Sequence, residues 1–272
     1  MIGFIGVICG LKSEAAVVSA SVDQSKVRIG VSGANAQRAE EIAKRFCDEG
    51  ASAVLSIGVS GGLDPALKPG DLVIGETVIA DDGSVYASDR DLLGALFSSP
   101  IYGGGVAPNF IRGDGGGLTS HPPRPHRPLR GHLPRERGRK DEGRSIIVGA
   151  LFGADEIVDS VQKKSALFHN HGAVAVDMES HGAARAAARA GVPFAAIRAI
   201  ADPADRALPK AALDAVAPDG STRVLKTLGA ALRDPRQFPE LMKLGADSAA
   251  ATKTLRRDLG LLFGPLFLSL DL

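Results

Sequence analysis

An α/β fold, a single domain with a central mixed twisted sheet flanked by helices, is predicted by three observations. Short apolar runs alternate along the chain with amphipathic segments, as in a sheet covered on both faces. A length of 272 residues with 44% hydrophobic content suffices for one large buried core. Two apolar runs near residue 200 end in carboxylates, at the place where α/β sheets meet ligands. The opening run, Ile2 to Cys9, reads as a first buried strand, because it lacks the charged leader and small-residue cleavage site of a secretion signal. Val27 to Val31 is a second strand. Ala36 to Glu49 is an amphipathic helix with Ile42 and Phe46 inward, and Ala53 to Val59 and Leu72 to Ala80 are further strands. Lys163 to Phe168 belongs to a helix, and His181 to Ala190 to an alanine-rich one ending at Gly191. Leu208 to Ala217 and Arg223 to Leu232 read as later helices, with a turn at Asp219-Gly220-Ser221 between them.

Composition narrows the function classes. The formal net charge of +1 gives no basis for a nucleic-acid partner. Cys9 and Cys47 stand alone in apolar and amphipathic surroundings. They read as core thiols of a reducing compartment, which places the protein in the cytoplasm, without a disulfide framework or a metal site. From Pro100 to Arg144 the periodicity vanishes and the composition shifts to Gly, Pro, Arg and His. Three of the six histidines lie there, among prolines that deny metal ligands a regular element on which to converge. A structureless loop of this length is uncommon inside a compact domain. The segment therefore reads as a shifted reading frame of GC-rich DNA, with the true frame resuming near Ser145. The organisation expected is a domain over residues 1–235, anomalous over 100–145, and a C-terminal helical tail over 236–272.

The two segments that carry the functional signal are Val176-Asp177-Met178-Glu179-Ser180 and Arg198-Ala199-Ile200-Ala201-Asp202. Taken alone they have two readings, either caps for the helices that follow or ligand-holding carboxylates at strand ends. Two further segments decide between them. One is Gly10-Leu11-Lys12-Ser13-Glu14 after the opening strand. The other is Ser56-Ile57-Gly58-Val59-Ser60-Gly61-Gly62-Leu63, followed by Lys68-Pro69-Gly70-Asp71-Leu72-Val73-Ile74. In this order and spacing, the four segments resemble the purine nucleoside phosphorylase and nucleosidase superfamily, whose smaller members cleave methylthioadenosine and adenosylhomocysteine. The match covers roughly residues 1–97 and 146–235. Its details look closest to the hopanoid-associated phosphorylases, on the wording of Gly61 to Asp71, Ala173 to His181 and Asp234 to Pro239.

The resemblance implies a nucleoside phosphorylase-like fold and cleavage of the bond between ribose C1′ and purine N9. Such a bond breaks through a cationic, oxocarbenium-like sugar, so a site must protonate the departing base and hold the sugar. Asp202 matches the acid at the purine N7 edge. Glu179 matches the carboxylate on the ribose hydroxyls, with Met178 packing under the ring. Glu14 matches the residue that activates water in the nucleosidases, although a glutamate in the first turn of a helix is also favoured by the helix dipole. Gly61 and Gly62, with Ser60 and Arg198, are the expected acceptor site, since glycines let backbone N–H groups approach an oxyanion or water. Arg198 has a second reading as a structural ion pair. Many nucleosidases carry a serine where this chain has Val59, and Ser60 is not an automatic substitute because neighbouring strand residues face opposite sides. Water and phosphate therefore both stand as acceptors. No cofactor is expected beyond inorganic phosphate as co-substrate. His181, opening an alanine-rich helix, reads as a surface or capping residue rather than a base.

The expected partner is a small nucleoside, lipid-linked if the substrate is adenosylhopane, and the resemblance implies a homo-oligomer, a dimer. Leu255, Leu259, Leu261, Leu262, Phe263, Leu266 and Phe267 form an apolar tail with two readings. They either close the core or a dimer contact, or they offer an apolar exit for a lipid chain, with Arg256 and Arg257 at an anionic membrane surface. The tail is too short and too broken to span a bilayer. The resemblance favours phosphorolytic release of adenine from adenosylhopane in hopanoid biosynthesis, and two other functions remain: a hydrolytic methylthioadenosine or adenosylhomocysteine nucleosidase, and a nucleoside-binding protein without turnover. A dinucleotide enzyme is disfavoured, since the turn after the first strand lacks the glycine spacing that cradles a pyrophosphate.

Overall fold

A computed structural model describes residues 3–100, 146–213, 216–222 and 235–272. Eight strands form one sheet: β1 (Ile5–Cys9), β2 (Val27–Val31), β3 (Ala53–Gly62), β4 (Leu72–Ala80), β5 (Val85–Ala87), β6 (Ile146–Gly153), β7 (Ala175–Asp177) and β8 (Phe194–Asp202). The helices are α1 (Lys12–Ser21), α2 (Ala36–Asp48), α3 (Arg90–Phe97), α4 (Val161–His171), α5 (Ser180–Ala190), the single turn α6 (Lys210–Leu213) and α7 (Phe238–Ser269).

The sheet is mixed, and it closes. β3 pairs with β8 in parallel and with β7 antiparallel. β8 also pairs antiparallel with β4, which pairs in parallel with β6, and β6 pairs in parallel with β7. These five strands form a ring, from which β1 and β2 extend on one side and the β5 hairpin on the other. Closure explains why every residue of β8 is buried, Arg198 and Asp202 among them. Helices cover both faces. Ile5, Val7, Leu55, Ile57 and Ile197 pack into a core with α1, α3 and α7, whereas Ile8, Val54, Val73 and Ala196 pack with α2 and α5. This alternation is the two-residue period of strands read by two different layers.

α7 resolves the two readings of the apolar tail. Leu255, Leu259, Leu262, Phe263 and Leu266 follow helical spacing and are all nearly inaccessible, set against β8, α1 and α3. They close the core, so these residues offer no exit for a lipid chain. Phe267 packs against the same cluster, while Leu261 stays partly exposed. No helix among the described residues is long and apolar enough to cross a membrane.

Other expectations meet corrections. Of the helix expected over Leu208 to Ala217, the described residues show the turn Lys210–Leu213, and Val216 instead bridges Thr222 around a turn where Gly220 adopts φ +77°. That turn is fastened to the start of α1, since Lys12 N–H donates to the Gly220 carbonyl at 2.9 Å. His181 is neither a surface residue nor a cap. It is 1% exposed and bonds Asp155 through Nε2 at 3.0 Å, because α5 lies flat on the sheet and turns this position inward. The helix expected over 223–232 and the anomalous segment 100–145 lie outside the described residues, apart from Pro100.

Candidate active site

The site is built where β1, β7 and β8 end around β3. Glu14 stands in the first turn of α1. Its Oε2 accepts the Leu11 N–H at 2.8 Å, which is the cap expected of an early helical glutamate. Its Oε1 accepts the Val59 N–H of β3, also at 2.8 Å, so the carboxylate joins helix and strand, and the reading as an early helical glutamate holds. Glycine is needed around it. A Cβ at Gly58 would lie 2.8–2.9 Å from the Glu14 carboxylate, and one at Gly10 would strike Glu179 Oε1 while sitting 3.4 Å from Glu14 Oε2. The close approach across Gly10 places Glu14 and Glu179 side by side.

Glu179 is free for this position because another residue caps α5. Asp177 Oδ1 accepts the N–H groups of Glu179 and Ser180 at 2.8 and 2.7 Å, and Glu179 makes no side-chain cap bond. Nor does Asp202 cap a helix, since the next one begins only at Lys210. The capping alternative therefore fails for both carboxylates and holds instead for Asp177. The Met178 side chain is half-buried beside them, and its N–H donates to Glu179 Oε2 at 3.4 Å.

Arg198 pairs with these carboxylates. Its guanidinium is 1% exposed, with Nε donating to Asp177 Oδ2 at 3.0 Å and Nη2 donating to Ser56 Oγ at 2.6 Å and Ser180 Oγ at 2.9 Å. Nη2 also lies 3.6 Å from Glu179 Oε2. The titrations follow from this packing. Burial pushes Glu179 up to about 8, helped by the neighbouring charges of Asp177 and Glu14 and opposed by Arg198. Glu14 is also raised, by burial, against its backbone hydrogen bonds. Asp177 is held below the usual carboxylate range, because Arg198 and the Ser180 bonds outweigh its burial.

Asp202 occupies a different environment. Its Oδ2 takes an ion pair of 2.5 Å from Lys164 Nζ of α4, and its buried Oδ1 has no hydrogen-bond partner among the described residues. Burial raises Asp202 and lowers Lys164, so the proton affinities of the pair approach one another. Gly61 and Gly62 need a correction in placement. A Cβ at Gly61 would lie 3.7 Å from Asp202 Oδ2, and one at Gly62 would lie 3.5 Å from the Asp202 carbonyl oxygen. The two glycines accompany Asp202, and the residues crowding Glu14 are Gly10, Gly58 and Val59. The cause is a register shift after Ser60, where Gly61 aligns with Asp202 and Ala201 is passed over. The Ser60 Oγ is buried without a partner among the described residues.

Sequence reasoning singled out Glu14, Met178, Glu179, Arg198 and Asp202, and the structure gathers them around β3. It missed Lys164, Ser56 and Ser180, along with the capping role of Asp177. Lys164 stands beside Lys163 in an amphipathic segment with nothing in the pattern to tell them apart, although Lys163 is exposed and Lys164 fully buried. Among the described residues no cluster of His, Cys, Asp and Glu is arranged to hold a metal ion.

A closed mixed sheet with buried carboxylates at its strand ends defines an α/β protein with one candidate active site. The chain belongs to the phosphorylase superfamily, whose family model matches residues 6–233. It is 28% identical over 197 residues to the 5′-methylthioadenosine/S-adenosylhomocysteine nucleosidase of Mycobacterium tuberculosis, covering 68% of this chain and 69% of that one. The fold is similar to that of futalosine hydrolase from Helicobacter pylori, with a TM-score of 0.63 at 15% identity over 97% of this chain and 98% of the other. It is also similar to the methylthioadenosine/adenosylhomocysteine nucleosidase of Neisseria meningitidis, at TM-score 0.59 and 18% identity over 94% and 98% of the two chains.

Proposed function

We propose that the protein releases adenine from a 5′-substituted adenosine by breaking the C1′–N9 bond. One observation carries this reading: Gly58 lies against Glu14 and Gly61 against Asp202, three residues apart on β3. Glu14 and Asp202 thus occupy two separate stations along β3, one offered to the sugar and one to the purine. Asp202 Oδ1, buried and unpartnered, is the acid for N7. Glu179 binds the ribose hydroxyls, with Met178 under the sugar. Burial raises the proton affinity of Glu179, so this carboxyl is suited to donate as well as accept toward the hydroxyls.

Water is the acceptor this geometry favours. An attacking water must lose a proton, and Glu14 is a base whose proton affinity burial has raised. Among the described residues Arg198 is the cation bonded into the cluster, and its donors are committed to Asp177, Ser56 and Ser180. A phosphate ion would have to compete with those bonds. The second reading is phosphorolysis of adenosylhopane, favoured by the wording of Gly61 to Asp71 and Ala173 to His181, with homo-dimerisation as its further expectation.

The test is adenine release from a panel of 5′-substituted adenosines, from methylthio to long-chain alkyl, with and without inorganic phosphate. Release from methylthioadenosine without phosphate, abolished in Glu14→Gln, is the result expected. Release that requires phosphate and favours the long-chain substrate would establish the second reading. Nucleoside binding without adenine release from any member would overturn both.

A further inference from the structure

Lys164 is the least expected side chain of the site. It is completely buried on α4, where a lysine needs a partner. Its ammonium has three protons and makes three bonds: to Asp202 Oδ2 at 2.5 Å, to the Pro203 carbonyl at 2.8 Å and to the Arg206 carbonyl at 2.7 Å. Both carbonyls belong to the segment immediately after β8, so one ammonium fastens the carboxylate and the chain that follows it. We propose that Lys164 is a positioning residue for the leaving-group acid: it fixes Asp202 through Oδ2, leaves Oδ1 for the purine, and sets the pH range in which the acid acts. The proposal rests on the reading of Asp202 as that acid.

The chemistry gives the ammonium a defined task. As the C1′–N9 bond breaks, its electron pair passes into the purine, N7 takes the proton from Asp202, and Asp202 is left as a carboxylate. A carboxylate forming in a buried site is costly unless a cation meets it, and Lys164 is already in place. The same cation favours ionised Asp202 in the empty enzyme, where burial opposes it. The other charged groups that face Asp202 are Arg206, from the segment after β8, and Asp247 of α7. These two form an ion pair with each other, and Asp205 faces Lys164 from the loop. Their charges largely offset one another, which leaves Lys164 as the cation that governs Asp202.

The experiment compares Lys164→Gln, which keeps hydrogen-bond donors but no charge, and Lys164→Arg with the wild-type protein. Adenine release from 5′-methylthioadenosine is followed across pH, together with the titration of the Asp202 carboxyl by ¹³C NMR, its signal assigned with Asp202→Asn. Loss of the cation should raise the Asp202 titration by about 1 unit or more and move the basic limb of kcat/KM upward with it. The plateau kcat should fall roughly tenfold or more while KM changes less than about threefold, because a weaker acid donates less readily. Lys164→Arg should keep the limb near its wild-type position. A Lys164→Gln profile and Asp202 titration that superimpose on wild type would overturn the proposal. If Lys164→Gln does not fold, Lys164→Arg still decides, since a limb displaced by a full unit with the charge retained would overturn it. Near-normal turnover in Asp202→Asn is a different failure, because it would remove the acid role itself.

Discussion

The proposed ribose end and the proposed base end of the site are held by opposite strategies. At the ribose end, Glu14, Asp177, Glu179 and Arg198 share a network in which two helix starts, two serines and a strand N–H take part. At the base end one carboxylate rests on one ammonium, with an oxygen that has no partner among the described residues. The difference suits the two tasks. A sugar must be oriented against several hydroxyls, which rewards a rigid frame of many bonds. A proton donor needs an uncommitted oxygen and a proton affinity that can be tuned, which many bonds would defeat.

The largest effect on folding is expected at the ribose end. Arg198→Met leaves the buried Asp177 without its counter-charge, and denaturant unfolding should show a loss of about 3–5 kcal/mol. A loss below about 1 kcal/mol would mean that the frame does not depend on its arginine.

At the base end the effect should appear in turnover instead. Asp202→Asn keeps the shape and removes the proton donor, so kcat for adenine release should fall by about 10²-fold or more with modest change in binding. A fall shared equally between kcat and stability would erase the contrast between the two ends.

Glu179→Ala sharpens the assignment of the sugar. It should weaken binding of adenosine analogues much more than binding of free adenine, as measured by calorimetry. Equal losses would put Glu179 elsewhere.

The smallest effect concerns pH. Glu179 titrates near 8 in the folded protein and near the ordinary 4.5 when unfolded. The unfolded state therefore releases its proton first, and the stability this group contributes is full below pH ~4.5 and lost as pH rises towards about 8. Thermal or urea unfolding of Glu179→Gln should lack this decline, gaining on the order of 1 kcal/mol or more relative to its own acid-side comparison with wild type. Parallel stability–pH curves for the two proteins would show that Glu179 ionises freely in the fold.

Much of this was legible in the chain because it is local. Strand runs such as Val27 to Val31 and Leu72 to Ala80, the helix from Ala36 and the C-terminal limit of α5 at Gly191 follow from period, burial pattern and turn residues within a few positions. The carboxylates at Glu179 and Asp202 stand out because charge at the end of an apolar run contradicts the needs of a core, whereas Glu14 is legible only through the resemblance of the segment after the first strand. What the sequence by itself determined is therefore the α/β class, the strand ends and the residue types displayed there. Tertiary structure decided the closure of the sheet, the transfer of the capping role from Glu179 to Asp177, the alignment of Gly61 with Asp202, and the burial of Lys164 and of the apolar face of α7. Each of these depends on contacts between residues far apart in the chain, such as Lys164 with Asp202 or α7 with β8. Local propensity carries no information about such pairings, which arise only when distant segments share one closed core.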